Sequence, residues 1–78
     1  MLNEKEVLQA IGFAIEDPSF DLDSTTENTE NWDSLGVLSI VTTLARLTSG
    51  KSDKVSEIVS VSSAVELINL LRKNMLIE

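Results

Sequence analysis

Between Leu35 and Leu47 lies the longest apolar-rich stretch of the chain, entered directly from an acidic, turn-forming run, EDPSFDLDSTTENTENWD at 16–33. A chain of 78 residues has room for one modest core, so the other elements must pack around this stretch. Val37, Ile40, Val41, Thr42 and Thr43 are β-branched and would suit a strand. The apolar positions do not alternate, however, and the run is long for a strand. Gly50 also stands just past the last apolar residue, a natural helix stop. The spacing therefore predicts a helix. Leu35, Leu38, Val41 and Ala45 fall along one line of it and Val37, Ile40, Leu44 and Leu47 along another, so it is expected to be apolar over a wide arc and central to a bundle. Asp33 is the expected N-cap, since its carboxylate suits the free N–H groups and positive dipole of a helix start. Ser34 then falls in the first turn, with its hydroxyl near solvent.

The flanking segments read as smaller helices. Asn3 with Glu6 forms the Asn variant of a capping box, and Val7, Leu8, Ile11, Ala14 and Ile15 follow helical spacing. Gly12 weakens that helix by about 1 kcal/mol relative to Ala and is expected to mark a close helix approach. The loop at 16–33 is long for a small domain and needs pinning; Phe20, Leu22 and Trp32 are its candidate anchors. DKVSEIVS at 53–60 fits a short helix capped by Ser52 or Asp53, although Ile58, Val59 and Val61 suit a strand nearly as well. Ser63 with Glu66 makes a second capping box, with Ser62 an alternative cap, ahead of Val65, Ile68, Leu71 and Met75 at near-helical spacing and Leu67 and Leu70 beside them. Arg72 and Lys73 suit the negative end of that last helix. The expected fold is all-α: one domain over 1–78, a small four-helix bundle of three longer helices and a short third one, with a long first loop.

Composition narrows the chemistry. With no Cys and no His, the chain lacks a thiol nucleophile, the usual general base and the commonest metal ligand, so it is not expected to be an enzyme. The net charge of −7 opposes nucleic acid, whose phosphates are met mainly by Lys and Arg. Nine acids and one base precede Ser34, whereas four acids and five bases follow Asp33. The loop acids do not read as a calcium site: an EF-hand loop begun at Asp21 would put Thr26 where Gly is needed and Trp32 where the bidentate Glu belongs. No apolar run reaches the roughly eighteen residues of a membrane span, and MLNEKEV has neither a signal-peptide nor a transit pattern. A cytoplasmic monomer is expected, without a membrane or nucleic-acid partner.

Asp33-Ser34-Leu35, mid-chain after an acidic loop and at the head of an apolar helix, resembles the acyl carrier protein family, whose signature is an Asp-Ser-Leu at the start of the second helix. The resemblance covers nearly all of the chain. It implies that Ser34 carries a covalent 4'-phosphopantetheine arm, taken from coenzyme A by a phosphopantetheinyl transferase. The arm would hold acyl intermediates as thioesters for acyl-loading and acyl-processing enzymes, in a specialised pathway of lipid or fatty-acid metabolism. It also implies a mobile short third helix, whose Val55, Ile58 and Val59 would form a flap over the core. A phosphodiester on Ser34 would sit favourably against the helix start. Val41, Leu44, Ile58, Val61 and Ile68 are the aliphatic residues available to shelter an acyl chain, and they are equally accounted for as ordinary core.

Two alternatives stand beside this reading. One is an aminoacyl or peptidyl carrier with the same arm and different cargo. The other is a non-modified helical interaction module that docks through its acidic loop, with Ser34 purely structural. The chain departs from general fatty-acid carriers at Asn31 and Trp32, where small residues are common, and at Gly36, where an acidic residue is frequent.

Overall fold

Each helix begins where its cap directs it. The computed structural model describes residues 2–78 and is all-α, with α1 over Glu4–Ala14, α2 over Ser34–Leu47 and α3 over Ala64–Lys73. The Asn3 side chain accepts from the Glu6 N–H at 2.9 Å and the Glu6 carboxylate accepts from the Asn3 N–H at 3.2 Å, which closes the predicted box. At α3 the Ser63 hydroxyl caps Glu66 at 3.1 Å, while the Glu66 carboxylate reaches back to the N–H of Ser62 at 2.7 Å. The short helix expected at 53–60 is instead two 3-10 helices, Lys51–Lys54 and Ser56–Ser60. This segment is rich in Ser and β-branched residues, which are poor α-helix formers.

The apolar arc of α2 is narrower than its composition suggests. Ile40 and Leu44 are buried and Val37, Val41 and Leu47 half-buried, but Leu35 and Leu38 are 75% and 63% exposed. The line through Ile40 and Leu44 thus faces the core, while the other leaves it at its start: Leu35 and Leu38 stand in solvent and only Val41 packs against the core from its edge. Val7, Ile11 and Ile15 from the α1 segment and Ala64, Leu67, Ile68 and Leu71 from α3 complete that core, with Val55, Ile58 and Val61 between them. Val55 and Ile58 are buried as expected, whereas Val59 points outward. Val65 and Met75 are likewise exposed; α3 ends at Lys73 and the chain turns at Met75, which has a φ of 59°. That turn brings Ile77 into the core and lets the Glu78 N–H donate to the Leu2 carbonyl at 2.9 Å.

The long loop is pinned at three places. Phe20 and Trp32 are buried against each other, with ring centroids 5.6 Å apart and planes tilted by 56°, whereas Leu22 is only half-buried. In its middle, the Thr26 N–H donates to the Ser62 carbonyl and the Ala64 N–H to the Ser24 carbonyl, both at 2.9 Å, forming an isolated antiparallel bridge between Thr25 and Ser63. Between these anchors, Asx and hydroxyl side chains satisfy the backbone locally: Asn28 and Thr25 cap each other's N–H groups at 2.8 and 3.1 Å, and Asp17 accepts from Ser19. The third anchor belongs to the start of α2.

Candidate functional site: the start of the second helix

Ser34 is the first residue of α2 and is exposed. The preceding residue fixes its setting. Asp33 is in an extended conformation, its carboxylate accepts from the Gly36 N–H at 2.9 Å, and its carbonyl accepts from the Val37 N–H at 2.8 Å. These bonds leave the N–H groups of Ser34 and Leu35 at the positive end of the helix, beside the Ser34 hydroxyl. The three residues singled out from the sequence thus have distinct roles in the fold: Asp33 caps, Ser34 presents a hydroxyl, and Leu35 stands in solvent.

Asn31 and Gly36 hold this corner in place. The Asn31 amide donates to the carbonyl of Ile15, just past the end of α1, at 2.9 Å, so the two helix ends are tied across the loop. A Cβ on Gly36 would run into the Asn31 carbonyl, so the close passage of the loop over the first turn of α2 requires glycine there. Two of the three departures from the general carrier pattern, Asn31 and Gly36, therefore form one structural device. Trp32, buried with only 5% of its surface exposed, anchors the loop immediately before the cap. A shallow groove of about 210 Å³ runs beside the site, lined by Ala14, Ile15, Glu16, Asn31, Asp33, Leu35, Gly36 and Ser39.

The outward face of α2 continues from the site as Leu35, Leu38, Thr42 and Arg46, all exposed. It carries two leucines, a hydroxyl and a cation, and no acid. Sequence periodicity assigned both leucines to the apolar arc; the signal that separates them from Ile40 and Leu44 is their position in the first turns, where the loop and α1 cover only the opposite side. Of the five residues named as an acyl shelter, Leu44, Ile58, Val61 and Ile68 are buried in the core and Val41 is half-buried; Val61 also forms part of the edge of an open groove of about 400 Å³ with Glu57, Ser60, Glu66, Asn69, Leu70 and Lys73. Among the described residues no cluster of acidic side chains is arranged to hold a metal ion, and no helix is long and apolar enough to cross a membrane.

Comparisons with protein-family models, with curated proteins and with solved structures find no match to this chain.

Proposed function

We propose that this chain is an acyl carrier in which Ser34 bears a 4'-phosphopantetheine arm. The observation that carries this reading is the exposed Ser34 hydroxyl at the first position of α2, between a capping Asp33 and an exposed Leu35. The site fits the group: the serine oxygen is accessible, and a phosphodiester on it meets the unpaired N–H groups of the helix start. Attachment forms a bond from Ser34 Oγ to the phosphorus of coenzyme A that bears the pantetheine arm and breaks the pyrophosphate, releasing the nucleotide half. The transferase supplies the base that takes the serine proton, because this chain has no His or Cys. The arm's thiol then carries the cargo, while the three helices and the short 3-10 segment serve as a four-element carrier bundle.

The exposed Leu35 and Leu38 support a role in docking partner enzymes, since apolar residues left in solvent beside a modification site are available for burial by another protein. Acyl-loading and acyl-processing enzymes are the partners this reading requires. Intact-mass spectrometry after incubation with coenzyme A and a broad-specificity phosphopantetheinyl transferase is the test: the mass should rise by one phosphopantetheine, and Ser34→Ala should abolish the gain. A wild-type mass unchanged by several transferases would leave the unmodified interaction module as the better reading.

A further inference from the structure

The last turn of α1 carries an aromatic side chain that the fold does not use. Phe13 is 88% exposed, more than any other large apolar side chain among the described residues. It borders an open groove of about 670 Å³, with Leu8, Gly12, Pro18 and Phe20 as its apolar lining and Glu16 and Asp17 at its polar edge. The groove depends on Gly12. A Cβ there would meet the Asp17 carbonyl at 2.8 Å and the Phe20 Cβ at 3.2 Å, so the close approach expected at Gly12 is that of the first loop, not of another helix. The Asp17 N–H donates to the Gly12 carbonyl at 2.8 Å and holds the loop in this position.

We propose that this groove is a docking surface for a cationic amphipathic segment of a partner protein, separate from the outward face of α2. Charge selects the occupant. Glu16 and Asp17 flank the apolar floor, Asp21 and Asp23 lie with Asp17 around an adjoining hollow, and Lys5 is the one base among the first 33 residues. Among the described residues the salt bridge found joins Arg72 to Glu4, so neither Glu16 nor Asp17 is neutralised by a side chain of its own protein. An aliphatic or aromatic residue of the partner covers Phe13 and fills the groove, while Lys or Arg residues on either side meet the two carboxylates. A second copy of this chain is disfavoured by the same charges, since a symmetric contact sets Glu16 and Asp17 against their own images and each copy carries −7. The proposal is independent of any modification of Ser34.

The test uses the unmodified full chain, isotopically labelled, titrated with a synthetic Leu/Lys amphipathic peptide of about 16 residues, long enough to form a helix. A Leu/Glu peptide of the same pattern is the control. Amide shifts should centre on Leu8, Gly12, Phe13, Glu16 and Asp17, and the Leu/Glu peptide should produce none. Phe13→Ser should weaken binding by about tenfold or more, as expected for an aromatic anchor. Because Phe13 is exposed, this variant should melt like the wild type. The Glu16→Gln, Asp17→Asn double variant should weaken binding and flatten its dependence on salt. Shifts spread evenly over the acidic loop, shifts centred on Leu35 and Leu38, or an affinity indifferent to Phe13→Ser would each reduce the effect to general charge attraction and overturn the proposal. Sedimentation of the wild type at rising concentration should show a monomer; a dimer abolished by Phe13→Ser would assign the groove to a second copy instead.

Discussion

The backbone carbonyl of Asn31 occupies the space that any side chain on Gly36 would need, and the Asn31 side chain at the same time donates to Ile15 at the end of α1. One loop residue therefore sets both the spacing between two helix ends and the identity of the residue two places after Ser34. The carbonyl is backbone and cannot swing aside as a flexible side chain would.

The first prediction follows from that contact. In an open helix, Gly36→Ala would gain about 1 kcal/mol of helix propensity, but overpacking a tight site typically costs about 1–3 kcal/mol. The clash should win, since relieving it means moving the loop and stretching the bond from Asn31 to Ile15. Gly36→Ala should therefore lower the urea midpoint, with a net destabilisation of about 1–2 kcal/mol, and should broaden the amide signals of 31–35. A midpoint at or above that of the wild type would mean that the loop over α2 yields freely.

Trp32 gives the second prediction, and as the chain's one tryptophan it reports without ambiguity. It is buried against Phe20 at a centroid distance of 5.6 Å, a tilted geometry that adds about 0.5–1.5 kcal/mol beyond the area buried. Native emission should be blue-shifted and should move to the red on unfolding. Phe20→Leu keeps an apolar side chain but loses the ring contact; it should lower stability by about 1 kcal/mol and shift native emission partway toward the red. Native emission already at the water-exposed limit would remove Trp32 as the anchor of the loop.

How far the fold was legible depended on whether a signal was local. The caps at Asn3, Asp33 and Ser63 involve residues a few positions apart, and each stands where the sequence placed it, whereas α2 stops at Leu47 with Thr48 as its C-cap and Ser49 already left-handed, before Gly50 is reached. Phe20 and Trp32 were readable as anchors because a polar loop offers few other apolar side chains to bury. The long-range devices were not readable: nothing near Thr25 or Ser63 announces their bridge, and nothing near Asn31 announces Ile15 or Gly36. The exposure of Leu35 and Leu38 departs from the periodicity for a related reason. Helical periodicity ranks faces by apolarity, but it does not say which apolar face the remaining elements are long enough to cover. The 53–60 segment was ambiguous because Ser, Val and Ile alternate too loosely to favour one period.

The last prediction concerns what partners read on α2. General fatty-acid carriers present acids along this helix, whereas the outward face here is Leu35, Leu38, Thr42 and Arg46, with Lys51 and Lys54 exposed beyond it. Like-charge juxtaposition suppresses wrong partners, and complementary charge mainly raises the rate of encounter. A partner set dedicated to this chain should therefore bury the two leucines, with the acidic first loop supplying whatever long-range steering there is. Leu38→Ser should leave the melting temperature nearly unchanged, because Leu38 is 63% exposed. In the modified protein it should reduce turnover by such a partner about tenfold or more. Installing acids calls for positions that solvent reaches: Thr42 and Arg46 are exposed and one turn apart, while Ser39 is half-buried in the groove beside Asp33. If Ser34 carries the proposed arm, Thr42→Glu with Arg46→Glu should then raise loading by a general fatty-acid ketosynthase above that of the natural chain. The gain should fade with added salt, since exposed charges are screened over about 10 Å at 0.1 M ionic strength. If the natural chain already matches an ordinary fatty-acid carrier with that ketosynthase, and the two acids add nothing, partner choice does not reside in the charge of this face.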